Sequence, residues 1–357
     1  MNAITTVPGQ ELAITAAVMR AMGEAANEAA AANAFADYVR LKAKNTRIAQ
    51  LGDLVIFSTY LQSIAPGAPM PSGEALQSTG EVWHGVTWGM VAGFVEWMIG
   101  EGYALGTVNR ALSTVKTYAK LAAKAGAVTP HELALIRVVT GYGGTEGKRR
   151  DEERTENGTV TRRGAKKAAH VHITTAQAKT LKTQPDTQQG RRDALLMALL
   201  LDHGLRESEV ALIEVSGVDL AAGTFTFYRP KVDRQDTQRM TPATRRAMAA
   251  WFASGDAPAM GPILRGSRKG GALTDVPMSL SAIRQRVCDL GKAIDLLGLS
   301  PHDCRHFWAT AMGRMVKAGK LDLFTFQEMG GWASLTMPRR YVEWASVSNE
   351  GVEYADD

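Results

Sequence analysis

The chain has 357 residues, of which 45 % are hydrophobic and 22 % are charged, a balance typical of a globular protein large enough for two domains. Only two cysteines occur, which excludes a disulfide framework and a cysteine-based zinc site. The N-terminus lacks a basic region followed by an apolar one, and no apolar run could span a bilayer, so we expect the reducing cytoplasm. The formal net charge of +5 is compatible with nucleic-acid binding but is weak evidence by itself.

Residues 1–44 are predicted to form an N-terminal helical extension. The stretch from Gln10 to Lys44 is rich in alanine with scattered Glu and Arg, which favours one or two helices. An alanine-rich helix carries little functional information. We therefore interpret this region as a packing or oligomerisation element rather than a binding arm.

Residues 45–140 are predicted to form a helical domain. Its first two helices flank a Pro/Gly-rich loop at 65–73, and a third begins near Thr107. One face of the third helix carries small polar and basic side chains that suit contacts with DNA phosphates and base edges. A solvated helix face would explain the same pattern and is favoured when this helix is considered alone. The candidate DNA-binding residues are Asn109, Arg110, Ser113, Lys116 and Lys120.

Residues 141–171 are predicted to form a basic flexible linker. The segment opens with Gly141-Tyr142-Gly143-Gly144, is dense in charge and contains few apolar residues, a composition typical of exposed tethers. Contact with DNA phosphates and simple solubilisation both fit this composition.

Residues 172–345 are predicted to form a second domain, followed by a C-terminal tail at 346–357. A nearly all-apolar helix over 193–202 is followed by Gly204, which fits a left-handed cap, and Arg206 then enters the next helix. The hydrophobic period changes to two at 224–228 and 237–240, which predicts a hairpin with Lys231 in its turn. Helical patterns return at 241–252, 280–297 and 301–317. The predicted fold is mainly α with a small antiparallel β-sheet.

The stretch from His302 to Tyr341 contains the residues best suited to catalysis. Ser300 can cap a helix that begins at Pro301, and the three-residue spacing puts His302 and Arg305 on one face of it. An imidazole beside a guanidinium suits an anionic oxygen centre. Tyr341 follows a cationic run, which predicts that its ionised form is favoured. The opposite, core-facing stripe is predicted to comprise Cys304, Trp308, Ala311, Met312 and Met315.

Taken singly, these candidates have plain structural explanations. An arginine at position 206 can simply satisfy Glu209, and Trp332 after two glycines is usually a core residue. We assign His203 and His306 to helix surfaces or supporting positions, without a primary role. No spacing resembles a metal site, and no phosphate-binding loop is present in the sequence.

The combination is more specific than its parts. In chain order the sequence has Gly-Leu-Arg206-x-Ser-Glu209, the hairpin Lys231, His302-x-x-Arg305, Gly-Trp332 and Tyr341. This order resembles the tyrosine recombinase (phage integrase) family, whose signature is Arg, Lys, His-x-x-Arg, His or Trp, and Tyr. The resemblance covers roughly residues 45–344. The sequence departs from the family signature in two ways. Trp332 stands where most members have histidine, and the gap between Arg305 and Trp332 is somewhat long, which we assign to a loop insertion at 317–320.

The resemblance implies a helical core-binding domain followed by an α+β catalytic domain that cuts and rejoins DNA. Tyr341 would attack a scissile phosphate to give a 3′-phosphotyrosyl link and a free 5′-hydroxyl. No cofactor or metal is needed, because the phosphotyrosine retains the bond energy for rejoining. The implied partners are double-stranded DNA sites and other copies of the chain, as a tetramer on two sites. The segment 342–345 would dock into a neighbouring subunit through Trp344.

General chemistry assigns a role to each implied catalytic residue. A phosphodiester is anionic, so Arg206 and Arg305 would grip its non-bridging oxygens. Donors that meet the developing charge would be His302 and the Trp332 N–H, and Lys231 would protonate the leaving oxygen. His302 is also the candidate acceptor for the tyrosine proton, and Glu209 has a supporting role as an orienting group.

Two alternatives from different classes remain. A type IB topoisomerase uses the same residue types to relax DNA without choosing a site, and a decayed relative would bind DNA without cutting it. The length and the helical N-terminal domain favour a site-specific recombinase encoded by a bacterium, phage or mobile element. Integration, excision and resolution are not distinguished by the sequence.

Overall fold

The computed structural model describes residues 8–163 and 169–344, with side chains from residue 15 onward. The chain divides into two compact units, Met1–Lys166 and Lys167–Asp357. The predicted C-terminal tail at 346–357 and part of the basic run at 161–167 lie outside the described residues. Across the described ranges, no helix is both long and apolar enough to cross a membrane.

The first unit is built from helices in its described part. Its long N-terminal helix is continuous, and the α-helices of residues 8–163 are α1 (Pro8–Arg40), α2 (Lys44–Ile64), α3 (Gly73–Ser78), α4 (Trp88–Gly100), α5 (Leu105–Lys124), α6 (Pro130–Val138) and α7 (Gly144–Glu156).

Helix α5 organises the core of this unit. Its apolar residues recur three and four positions apart, which buries one face along the whole helix. Tyr118 on that face stacks with Trp83, and Phe35 and Tyr38 of α1 pack against the same ring. The end of α1 therefore belongs to the core, although the sequence predicted a separate extension up to residue 44. The rest of α1 is largely exposed from residue 15.

Helix α7 lies where the sequence predicted a flexible linker. Arg154 is only 3 % exposed, and its guanidinium donates to the carbonyl oxygens of Tyr103 and Val160 at 3.0 and 2.9 Å. Arg150 pairs with Glu96 on α4 at 2.7 Å. The linker prediction is therefore wrong for 144–156, because long-range ion pairs and a buried arginine hold a helix that has almost no apolar face.

The second unit combines helices with two small antiparallel sheets. Its helices are α8 (Thr175–Lys182), α9 (Gln188–His203), α10 (Glu207–Ala211), α11 (Pro242–Ala253), α12 (Leu280–Lys292), α13 (Pro301–Lys317), α14 (Leu323–Gly330) and α15 (Thr336–Trp344). Its strands are β1 (Val218–Asp219), β2 (Thr224–Arg229), β3 (Arg234–Arg239), β4 (Arg265–Ser267) and β5 (Leu273–Pro277).

The two sheets differ in how well the sequence revealed them. Strands β1, β2 and β3 form one sheet in that order, with Thr226 opposite Thr237, so the predicted hairpin is present. Strands β4 and β5 form a second sheet that the sequence reading missed. The fold class, mainly α with small antiparallel sheets, is confirmed.

Helices α9 and α13 form the centre of the second unit. Helix α9 is buried along nearly its whole length, as predicted, and ends at Gly204, which is left-handed at φ 60°. Helix α13 begins with a capping box between Ser300 and Asp303, and Pro301 occupies its first turn. Its predicted apolar stripe is shorter than expected, because Met315 is 39 % exposed.

Candidate active site

Six sequence-predicted residues line one cleft of about 590 Å³ in the second unit. They come from five separate parts of this unit, so only the tertiary fold brings them together. In chain order they are Arg206 at the start of α10, Lys231 in the β2–β3 turn, His302 and Arg305 on α13, Trp332 after α14, and Tyr341 on α15.

The two arginines are held by backbone carbonyls and one carboxylate. Arg305 is 4 % exposed and donates to the carbonyl oxygens of Gly204, at 2.6 Å, and Gly330. Burial, with Arg206 nearby, lowers the pKa of Arg305 to about 9, which leaves the guanidinium charged at neutral pH. Arg206 donates to Glu209 at 2.6 Å and to the Gly331 carbonyl at 3.3 Å. Both arginines are thereby fixed in the wall of the cleft.

A buried arginine that the sequence reading did not single out supports this wall. Arg229, at the end of β2, is fully buried and its Nη1 lies 3.2 Å from both carboxylate oxygens of Glu209. It also pairs with Asp236 and donates to the Met329 carbonyl at 2.8 Å. Glu209, predicted as a supporting residue, therefore joins Arg206 to Arg229. No local sequence signal marks an arginine at a strand end for this role.

Trp332 is positioned by the loop that Arg229 contacts. The preceding Gly331 is left-handed at φ 57°, and a Cβ there would meet the Arg229 side chain at 2.6 Å, so glycine suits this position. The Arg305 guanidinium lies 4.8 Å from the Trp332 ring centroid, and Trp308 stacks behind it at 5.9 Å. The indole is thus clamped beside the arginine that lines the cleft.

The hydroxyl of Tyr341 contacts a histidine to which the sequence reading gave no primary role. Tyr341 is 2 % exposed, and its Oη lies 2.8 Å from Nδ1 of His306. Burial raises the pKa of Tyr341, and nearby Arg305 opposes this with a smaller effect. The cationic neighbour thus acts in the predicted direction, but burial outweighs it, so the predicted net preference for the ionised phenol is wrong. The available signal was the four-residue spacing of His302 and His306, which puts both on one helix face.

Three histidines pack together beside this tyrosine. The ring of His170 lies 3.6 Å from that of His306 and 5.6 Å from that of His302, and its Nδ1 lies 3.5 Å from Asp303 Oδ1. Burial, reinforced by the two neighbouring histidines, lowers the pKa of His306 to about 4, so this ring is neutral at neutral pH. Burial also lowers the pKa of His302. Within the described ranges, no cluster of His, Cys, Asp or Glu could hold a metal ion.

In the first unit, the five predicted DNA-binding residues divide into two groups. Asn109 donates to the Tyr142 carbonyl, Arg110 pairs with Asp53 at 2.8 Å, and Lys116 donates to two backbone carbonyls of the segment 137–139. These three side chains are engaged within the protein, which weakens the prediction that they contact DNA. Ser113 and Lys120 are exposed on α5, and Arg110 is exposed as well despite its ion pair with Asp53.

Comparison with known proteins identifies the family. Residues 172–346 match the model of the phage integrase family. A tyrosine recombinase XerD from Neisseria meningitidis is 32 % identical over 186 residues, which cover 50 % of this chain and 60 % of that protein. A tyrosine recombinase XerC from Xylella fastidiosa is 32 % identical over 160 residues, covering 44 % and 50 % respectively. The matched segments thus span only 50–60 % of these two relatives.

Solved structures share the fold. An integrase of the transposon Tn1549 in complex with transposon right end DNA is 14 % identical with a TM-score of 0.56, covering 87 % of this chain and 94 % of that one. A lambda integrase dimer bound to a core site is 15 % identical with a TM-score of 0.53, covering 88 % and 92 %. The chain therefore carries a phage integrase family domain over residues 172–346, the family that the order of its cleft residues had indicated.

Proposed function

We propose that this protein is a site-specific DNA recombinase that cuts and rejoins duplex DNA through a 3′-phosphotyrosyl intermediate. The observation that carries the proposal is the convergence of all six signature side chains on one cleft of the second unit. Its XerC and XerD relatives are tyrosine recombinases, which agrees with this reaction. Because its substrate is DNA, we expect the protein to act in the cytoplasm, at the nucleoid.

The charge in the cleft suits a phosphodiester. Two guanidinium groups, Arg206 and Arg305, neutralise the non-bridging oxygens, which lowers the repulsion that an attacking phenolate would meet. The Trp332 N–H and His302 add donors where charge develops in the transition state. Glu209 orients Arg206 through a 2.6 Å ion pair and takes no part in the chemistry.

The leaving oxygen needs a proton, and Lys231 is the proposed donor. It is exposed in the turn between β2 and β3 and lines the same cleft as Tyr341. A short hairpin can bring its ammonium to the 5′-oxygen as the P–O bond breaks. Rejoining reverses the steps, with the 5′-hydroxyl attacking the phosphotyrosine. Neither a metal nor a nucleotide cofactor enters this scheme.

Binding of the duplex and assembly of copies complete the proposal. The first unit serves as the core-binding unit and contacts DNA through exposed α5 residues such as Ser113 and Lys120. Strand exchange needs several active sites, so we propose a tetramer on two DNA sites. Trp344, which is 62 % exposed, is the proposed anchor for a neighbouring copy.

The test is the capture of a covalent adduct. The protein would be incubated without divalent metal with a pool of nicked suicide duplexes whose central region is randomised, and with supercoiled plasmid. Denaturing gels would then separate protein–DNA adducts, and sequencing would identify the trapped duplexes. Tyr341→Phe is the matched control, because it removes the nucleophilic oxygen alone.

Each outcome decides between the proposal and its alternatives. Adducts on a narrow set of sequences that disappear in Tyr341→Phe support the recombinase. Adducts on every sequence together with plasmid relaxation indicate a type IB topoisomerase instead. Binding without any adduct indicates a protein that holds DNA and no longer cuts it.

A further inference from the structure

A continuous chain of hydrogen-bonding atoms joins Tyr341 to an exposed histidine. Tyr341 Oη lies 2.8 Å from Nδ1 of His306, and Nε2 of His306 lies 3.1 Å from Nε2 of His302. Both distances are those of ordinary hydrogen bonds. The two ring nitrogens of His306 therefore contact different partners, Tyr341 and His302. His302, the last residue of this chain of contacts, is exposed. An imidazole is the side chain that can accept at one atom and donate at another in this way.

We propose that His306 is a catalytic residue that relays the proton of Tyr341 to His302. The inference rests on the proposed function, because it concerns the attack of Tyr341 on a phosphodiester. As the Tyr341 oxygen bonds to phosphorus, its O–H bond breaks and the proton joins Nδ1 of His306. The Nε2 proton of His306 moves at the same time to Nε2 of His302.

The step balances. Before attack both imidazoles are neutral, with the proton of His306 on Nε2 and that of His302 on Nδ1. After attack His306 is again neutral, with its proton on Nδ1, and His302 is an imidazolium. The positive charge thus ends on the exposed ring, beside the anionic phosphate. The P–O5′ bond breaks, and the leaving oxygen takes its proton from Lys231.

The surroundings of His306 keep it able to accept a proton. The groups that face it are Tyr341, His302, His170, Asp303 and Arg305. The ring of His170 packs against one face of His306 with 3.6 Å between the ring centroids, which shields that face. Burial and the neighbouring histidines and arginine lower the pKa of His306 to about 4, against the opposing charge of Asp303. An imidazole that stays neutral until the phenol reacts is suited to transfer a proton without remaining protonated itself.

The alternative is a purely structural role, in which His306 only holds the ring of Tyr341 in place. His306→Asn separates the two roles, because the asparagine amide can put an acceptor near the position of Nδ1 but has no second nitrogen to reach His302. His172→Asn is the matched control, since His172 is an exposed histidine of the same unit and lies outside the cleft. Thermal melts would establish that both variants are folded.

The experiment measures single-turnover adduct formation on the trapped suicide duplexes as a function of pH. We expect His306→Asn to slow the reaction about 100-fold at neutral pH, the usual size of a general-base contribution, with a smaller loss at alkaline pH. His172→Asn should match the wild type. Replacing Tyr341 with 3,5-difluorotyrosine, whose phenol is more acidic, should restore much of the rate of His306→Asn.

Three results would overturn the inference, and they are distinguishable. If His306→Asn keeps the wild-type rate and pH profile, no relay operates. If it loses rate but the acidic phenol restores none of it, His306 only positions the ring. If the wild-type protein forms no adduct on any duplex, the proposed function fails and the relay fails with it.

Discussion

Arg305 combines burial with a fixed charge. Two of its guanidinium nitrogens donate to carbonyl oxygens from different elements, Gly204 at the end of α9 and Gly330 at the end of α14. A planar fork spans both and still faces the cleft, whereas a lysine ammonium is a single point charge on a flexible stem. The residue therefore joins two helix ends while it presents charge to the cleft.

We expect Arg305→Lys to slow adduct formation by about 10²–10³-fold, the usual effect of removing one preorganised donor to developing charge. The lysine cannot reach both carbonyls and a phosphate oxygen together. Arg246→Lys on the exposed side of α11 is the control and should leave the rate unchanged. An adduct rate of Arg305→Lys within threefold of the wild type would contradict the assigned role.

His170 contributes, after burial, to the lowered pKa of His306 on another element. We expect His170→Ala to raise the pKa of His306 from about 4 towards the ordinary histidine value near 6.5, because water reaches the ring and a like charge is removed. NMR titration of ¹³C-labelled histidine rings measures this directly, with His172→Ala as the control. An unchanged His306 titration would show that burial by other groups sets its pKa.

Local spacing revealed some of the site residues and hid others. His302 and Arg305 share one helix face by their spacing alone, and Lys231 follows from a change of hydrophobic period. The contact between His306 and Tyr341 depends on how α13 packs against α15, thirty-five positions later in the chain. Arg229 is likewise recognisable only from its burial against Glu209, which no sequence period encodes.

At the scale of elements, α13 and α15 approach closely at a glycine. A Cβ on Gly313 would lie 2.7 Å from the carbonyl oxygen of Tyr341 and 3.2 Å from the backbone nitrogen of Val342. Real Cβ atoms do not approach backbone so closely, so either helix would have to move. The absence of a side chain at position 313 thus sets the distance between the helix of the two histidines and the helix of Tyr341, the proposed nucleophile.

We expect Gly313→Ala to destabilise the protein by about 1–3 kcal/mol, as overpacking usually does, and to reduce adduct formation more than this loss explains. The reason is that α15 is displaced along with the Tyr341 hydroxyl. Gly52→Ala is the matched control, because that glycine lies within α2 and a Cβ there meets nothing within 4 Å. Urea melts and adduct kinetics on both variants would test this, and full activity of Gly313→Ala would refute it.

The elements that the sequence missed lack an apolar pattern. Strand β4 has three residues, and the connection to β5 is rich in glycine and cationic side chains, so neither strand shows a period. Helix α7 is polar on nearly all sides, and pairs such as Arg150 with Glu153 support it locally. By contrast, α9 and α13 were predictable, because apolar residues mark their buried faces and capping residues mark their ends.

At the scale of the whole molecule, several histidines make stability depend on pH. Burial lowers the pKa values of His203, His302 and His306, so the unfolded chain binds protons near pH 6.5 while the folded chain resists them to lower pH. We expect the free energy of unfolding to fall as the pH drops from about 6.5 to about 4. Urea melts across this range should show the decrease, and His306→Asn should make it shallower; a flat profile would contradict the shifts.

The burial of Tyr341 has a consequence for timing. Tyr341, the proposed nucleophile, is 2 % exposed and therefore latent, because a phosphodiester must displace the groups that cover its oxygen while the contact with His306 is kept. We therefore expect a conformational step to precede bond making when DNA binds. DNA that is touched only briefly would leave before the hydroxyl is presented. The residence time of a duplex on the protein would then determine whether it is cut. Sequences that dissociate slowly would be cut, and sequences that dissociate quickly would be released intact.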